Sequence, residues 1–129
     1  MLKYAESIEQ QGFFARAAKR PYGYEMLSDY CYAVPNGGTS GGRRAMLAGV
    51  RRKAEGVTAG VPDIECMIAV SPYTGLHIEM KKENGVPSDV TLAQQLMMAR
   101  LTGCGRKCVV AFGAAQAWTE LCKYLGFAE

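Results

Sequence analysis

The chain reads as a mixed α/β domain, a central mixed sheet with helices on both faces, in the order α–β–α–β–β–α–β–α. Three observations predict this. Residues 63–70 and 76–81 are strand-like runs joined by Ser-Pro-Tyr-Thr-Gly, which supplies the Pro and Gly of a hairpin turn. The apolar run CVVAF at 108–112 has the composition of a strand buried on both sides. Amphipathic stretches lie around these runs, so strand–helix crossovers are expected. At 129 residues, the chain 1–129 is expected to be a single domain, long enough to bury a core without staples.

Taken in order, residues 4–19 set Tyr4, Ile8, Gln11 and Ala15 at helical spacing, and Pro21 stops the run. Glu6, Gln10, Phe13 and Ala17 form a second row, so the carboxylate and an amide share a face. The aromatic-rich residues 28–34 suit a strand, ended by the turn Pro35-Asn36-Gly37-Gly38. Ser40-Gly41-Gly42 then opens a basic helix over 43–55, which Glu55-Gly56 closes. The hairpin follows. Pro87-Ser88 and Thr91 introduce a helix over 90–102, ended by Gly103 and Gly105. After the strand at 108–112, residues 114–125 form an amphipathic helix with Trp118, Leu121, Cys122 and Leu125 facing the core and Gly126 as its stop.

Composition narrows the class. Hydrophobic residues make up 49% of the chain, an ordinary globular value. No charged-then-apolar leader and no membrane-length apolar run is present, so a soluble cytoplasmic protein with no membrane partner is expected. Five cysteines, an odd number lying partly in apolar runs, read as buried free thiols, and Cys104 and Cys108 lack the second ligand pair of a zinc site. The net charge is only +3, but Arg43, Arg44, Arg51, Arg52 and Lys53 crowd one helix without an acid among them. Arg44 and Arg51 fall nearly on one face with Arg52 beside them, a stripe suited to a polyphosphate as well as to solvent.

The segment GVPDIECMIAVSPYTGLHIEMK at 60–81 carries the chemistry. Alternation along a strand puts His77, Glu79 and Lys81 on one face and Leu76, Ile78 and Met80 on the other. In the first run Ile64, Cys66, Ile68 and Val70 share a face, opposite Asp63, Glu65 and Met67. Closing the hairpin can bring Asp63 to Glu79 beside the ammonium of Lys81. Two hard carboxylates and a lysine at one place suit a divalent cation bound to a phosphate. The segment GGTSGGRR lacks the Gly-Lys-Ser/Thr ending of a nucleotide-binding loop, which disfavours nucleotide hydrolysis.

The spacing Asp63…Glu79-Met80-Lys81 resembles the PD-(D/E)xK nucleases, with the Pro-Asp dipeptide literal at 62–63. Glu6…Gln10, AVPNGG at 33–38, KAEGVTAGVPD at 53–63, HIEMKKE at 77–83 and a helix carrying Gln94 follow the order of the VRR-NUC family, the virus-type replication–repair nucleases, in their short stand-alone form. The resemblance spans residues 6–125 and implies a restriction-endonuclease-like core. It further implies a Mg2+- or Mn2+-dependent endonuclease that hydrolyses DNA phosphodiesters, acting as a homodimer on branched DNA such as four-way junctions; if the protein is viral, the host cytoplasm is its place. A non-catalytic DNA-binding module on the same fold is the alternative.

The residues divide as follows. Asp63 and Glu79 are expected to bind the metal, and the resemblance adds the backbone carbonyl of Met80. Lys81 is expected to hold the scissile phosphate or orient the attacking water. Glu6 matches the family's first-helix acid, with Glu9 its rival if the helix is phased differently. Gln94 is preferred to Gln95, because Leu101 and Gly105 follow it at the family's spacing. Glu65 and His77 read as peripheral. Asn36, Arg44, Arg51, Arg52 and Lys53 are expected to contact nucleic acid.

Overall fold

A computed structural model of the protein describes residues 2–35 and 43–128, with side chains from 5–35 and 46–128. Ten elements follow in order: α1 (Leu2–Ala17), β1 (Pro21–Tyr22), β2 (Glu25–Met26), β3 (Cys31–Ala33), α2 (Arg43–Ala54), β4 (Ile64–Cys66), β5 (Leu76–Lys81), α3 (Leu92–Gly103), β6 (Lys107–Phe112) and α4 (Ala114–Leu125). The expected order is present, with one addition: β1 and β2 form a small antiparallel hairpin. Each of its strands is two residues long, too short to leave a periodic signature.

The main sheet runs β3-β4-β5-β6. β3 pairs antiparallel with β4, β4 antiparallel with β5, and β5 parallel with β6. The sheet is mixed, as the hairpin and the crossover through α3 require. β4 is shorter than its run of alternating residues, since regular pairing ends at Cys66. Ile68 and Val70 therefore lie outside any strand, and the shared face expected for the whole run ends with Cys66.

β5 is the axis of the fold. It has a neighbour on each side and all six of its residues are buried. Leu76, Ile78 and Met80 pack into the core with Phe13, Ala111, Trp118 and Leu121 from α1, β6 and α4. The opposite face carries His77, Glu79 and Lys81 and lies beneath α3, which reaches it through Gln94 and, at its far end, through Cys108 bonded to the Met98 carbonyl. α1 and α4 are joined end to side: the Glu9 carboxylate accepts from Ala114 N at 2.7 Å, satisfying an otherwise open amide at the start of α4. Gly126, at φ 79°, closes α4 with a left-handed cap.

The cysteines depart in part from expectation. Cys31, Cys66 and Cys122 are buried thiols and Cys108 is half-buried, but Cys104 is exposed at the end of α3, where the helix has already left the sheet. Among the described residues no helix is long and apolar enough to cross a membrane.

Gly60 locks the approach to β4 against α3. It adopts φ +87°, and an added Cβ would sit 2.5 Å from the Ala93 carbonyl oxygen. Gly60→Ala is expected to cost about 2–4 kcal/mol, combining left-handed strain with overpacking. Denaturant unfolding of the two proteins measures it.

Candidate active site

β4 and β5 stay paired only as far as Ile64↔Ile78. Beyond that point Asp63 turns its carboxylate back on β5, and Oδ2 accepts from Met80 N at 2.8 Å. The side chain thereby satisfies a strand N–H that lost its ladder partner when β4 began. The N–H and C=O of one strand residue point the same way, so the Met80 carbonyl opens toward Asp63. Lys81, the next residue, turns its carbonyl the other way and accepts from Gly113 N at 2.9 Å.

Glu79 is 2% exposed, its side chain directed at α3. Gln94 Nε2 donates to Glu79 Oε2 at 3.0 Å, and Lys81 Nζ lies 3.7 Å from the same oxygen. Glu79 Oε1 is buried with no hydrogen-bond partner among the described residues. Burial, then the negative charge of Asp63 and its approach close enough to share the proton in a side-chain hydrogen bond, push the Glu79 carboxyl up to about 9, with Lys81 opposing and Glu6 adding. The spot is short of positive charge.

Gln94 is fixed from both ends. Its Oε1 accepts from Thr91 N at 2.9 Å while Thr91 Oγ1 accepts from Gln94 N at 3.1 Å, a reciprocal cap that starts α3. The cap leaves Nε2 aimed at Glu79. Gln95 points elsewhere, donating to the Val90 carbonyl at 3.1 Å. On α1, Glu6 faces the same cleft as Asp63 and Glu79. Glu9, by contrast, is taken up in starting α4.

Asp63, Glu79, Lys81, Gln94 and Glu6 are thus gathered at the carboxyl end of β5, with the Met80 backbone among them. Among the described residues no group of three or more His, Cys, Asp and Glu is arranged to hold a metal. Two carboxylates and a backbone carbonyl remain, and this donor set suits magnesium, which takes one or two carboxylates and fills its octahedron with water and phosphate. The orphaned Glu79 oxygen fits the same group, because a cation would supply the partner that no donor provides.

The sites expected for nucleic acid are less gathered. Asn36 lies outside the described residues, as does the Arg44 side chain, although its backbone belongs to α2. Arg51 and Lys53 are exposed on α2 and Arg52 is half-buried. From the end of α2 the chain passes Ala59 and Gly60 in the cleft wall before reaching Asp63.

One cluster was not legible in the sequence. Arg106 NH1 lies 3.1 Å from Glu65 Oε2 and 3.0 Å from His77 Nε2, one pairing step further along the same sheet face. The imidazole is 3% exposed, and burial holds its pKa below the ordinary value. Glu65 and His77 are cross-strand partners, which their strand phases permit; nothing local marks Arg106 as the third member.

No family model matches this chain, and no curated protein is significantly similar to it. A solved structure described as a VRR_NUC domain protein superposes with a TM-score of 0.77 at 26% identity, covering 94% of this chain and 88% of that one. The protein thus carries a VRR-NUC-type nuclease fold across nearly its whole length, and the resemblance read from the sequence holds in three dimensions.

The raised carboxyl has a consequence for stability. An unfolded glutamate loses its proton near pH 4.3, whereas folded Glu79 keeps it to about 9. Between these values the folded state binds the extra proton, so this group's contribution is full below pH 4 and is lost as pH rises toward 9. In chelator, the melting temperature is expected to fall from pH 5 to pH 8.5, and Glu79→Gln is expected to flatten that fall. Thermal melts across pH check it.

Proposed function

We propose that the protein is a Mg2+- or Mn2+-dependent endonuclease that hydrolyses DNA phosphodiester bonds, selective for branched DNA and acting as a homodimer in the cytoplasm, or in the host cytoplasm if viral. The observation that carries the reading is the pair Asp63 and Glu79, with an orphaned carboxylate oxygen, beside Lys81 on a VRR-NUC-type fold. Hydrolysis needs charge neutralised at phosphorus and a water delivered in line. A divalent ion held by Asp63, Glu79 and the Met80 carbonyl would supply the neutralisation and acidify the attacking water.

The chain's own residues do the positioning. Asp63 is held by its bond to Met80 N, so its second oxygen is oriented without a search. Gln94 fixes the Glu79 rotamer through a helix cap that cannot shift without unwinding the first turn of α3. Lys81, 6% exposed and 3.7 Å from Glu79 Oε2, would hold a non-bridging phosphate oxygen or orient the water. Glu6 extends the acidic field from α1. The exposed cations of α2, Arg51 and Lys53, with Arg52 and Arg44, are proposed to hold the DNA backbone, and Asn36 to contact it from the preceding loop. One chain offers one such site, so cutting two strands symmetrically calls for two subunits. A binding module without catalysis would have no use for a carboxylate buried at this cost, which disfavours that alternative.

Labelled linear duplex, single strand, flap and four-way junction test the reading, each with magnesium, manganese or chelator. Cutting is expected only with metal and fastest on branched substrates. Glu79→Ala is expected to reduce it on the order of 100-fold or more while DNA binding survives. Persistent cutting by Glu79→Ala, or none by wild type on any substrate, contradicts the proposal. For α2, Arg51→Ala with Arg52→Ala is expected to lower the slope of log affinity against log salt by about 1–2. Binding titrations at several salt concentrations read it.

A further inference from the structure

The carboxylate pair sits at one side of a cleft of about 840 Å³, far larger than a phosphate and a metal require. The remaining space has a distinct chemistry. α1 presents Ser7, Gln10, Gln11 and Phe14 as one wall, a row at helical spacing. Small residues, Ala59, Gly60 and Ala93, also line it, where the chain before β4 lies close against the first turn of α3. No lysine or arginine is among the described residues that line the cleft. A wall of amides and one aromatic ring, with no cation among the described residues, suits a base better than a phosphate. Amide side chains pair with the donor and acceptor edges of nucleobases, and an aromatic ring takes a base face.

We propose that this cleft receives the sugar and base of one unstacked nucleotide next to the scissile phosphate, with Gln10 and Gln11 bonding the base edge and Phe14 against its face. The inference rests on the nuclease reading and deepens it. Glu79 lines the same cleft and has a buried oxygen with no hydrogen-bond partner among the described residues, so the phosphate end is assigned to its side. In this proposal the small residues leave room for one flat ring beside α1. The protein therefore selects DNA in which a nucleotide beside the cut is already unpaired or easily unstacked, and branch points supply that locally. Gln10 and Gln11 are positioning residues, since neither touches the reacting atoms. Gln11 Nε2 already donates to Ser7 Oγ at 3.3 Å, an exposed contact that a base can replace.

The test uses a branched substrate whose cleavage position has been mapped. A single abasic residue is walked through the positions on either side of the cut, and single-turnover rates are measured for wild type and for Gln10→Ala with Gln11→Ala. With wild type, an abasic residue at one flanking position is expected to slow cleavage about tenfold or more, the scale of a lost base contact. The double variant is expected to cut intact DNA more slowly than wild type, but no more slowly than wild type cuts that abasic DNA, and on the abasic DNA the two proteins are expected to cut alike. Its melting temperature is expected to match wild type, since both amides are on the helix surface or half-buried. Undiminished wild-type cutting of every abasic substrate overturns this inference alone, as do two penalties that simply multiply. Absence of metal-dependent cutting on any substrate overturns the nuclease reading and this one together.

Discussion

A carboxylate buried on the central strand, with one oxygen that no donor reaches, is the constraint around which the rest of the molecule is arranged. Taking a carboxyl out of water is costly to its charged form unless it is paired or hydrogen-bonded, and Glu79 accordingly keeps its proton to about 9. Glu79 meets that cost only in part, through Gln94 and Lys81 on one oxygen. A core designed for stability alone would carry an apolar residue there, as Ile78 and Met80 do on the other face. A buried acid at the centre of the sheet is what the proposed active site, trading stability for chemistry, would require.

The surrounding structure serves that acid. β5 must be central so that its polar face can be covered, and covering it requires a crossover helix above the parallel pair β5 and β6. The crossover begins with the Thr91–Gln94 cap, so a local device for starting a helix also supplies the donor to Glu79. β4 must be short, because its late start, opposite Ile78, leaves Met80 N free for Asp63. Gly60 lets the chain approach α3 closely enough to make that start possible. Local backbone chemistry and the site are therefore one arrangement.

Much of this was legible in the sequence. The period-two pattern of residues 76–81 assigned His77, Glu79 and Lys81 to one face, and the hairpin turn made Asp63 their neighbour. Gln94 is preferred to Gln95 on the family's spacing to Leu101 and Gly105, and the Thr91–Gln94 cap found in the structure gives the physical reason. What was hidden depends on distance in the chain. The role of Glu9 at the start of α4 joins residues 105 positions apart, and no local pattern encodes it. The pairing of Arg106 with Glu65 and His77 is of the same kind. The β1–β2 hairpin is too short for periodicity to register.

The central claim is that Asp63, Glu79 and the Met80 carbonyl converge on one cation. Diffraction from crystals soaked in manganese, collected at the metal's absorption edge, tests this most directly. A single anomalous peak within ligating reach of all three oxygens is the predicted result. Well-ordered carboxylates with no peak between them, or a peak elsewhere on the surface, would contradict it.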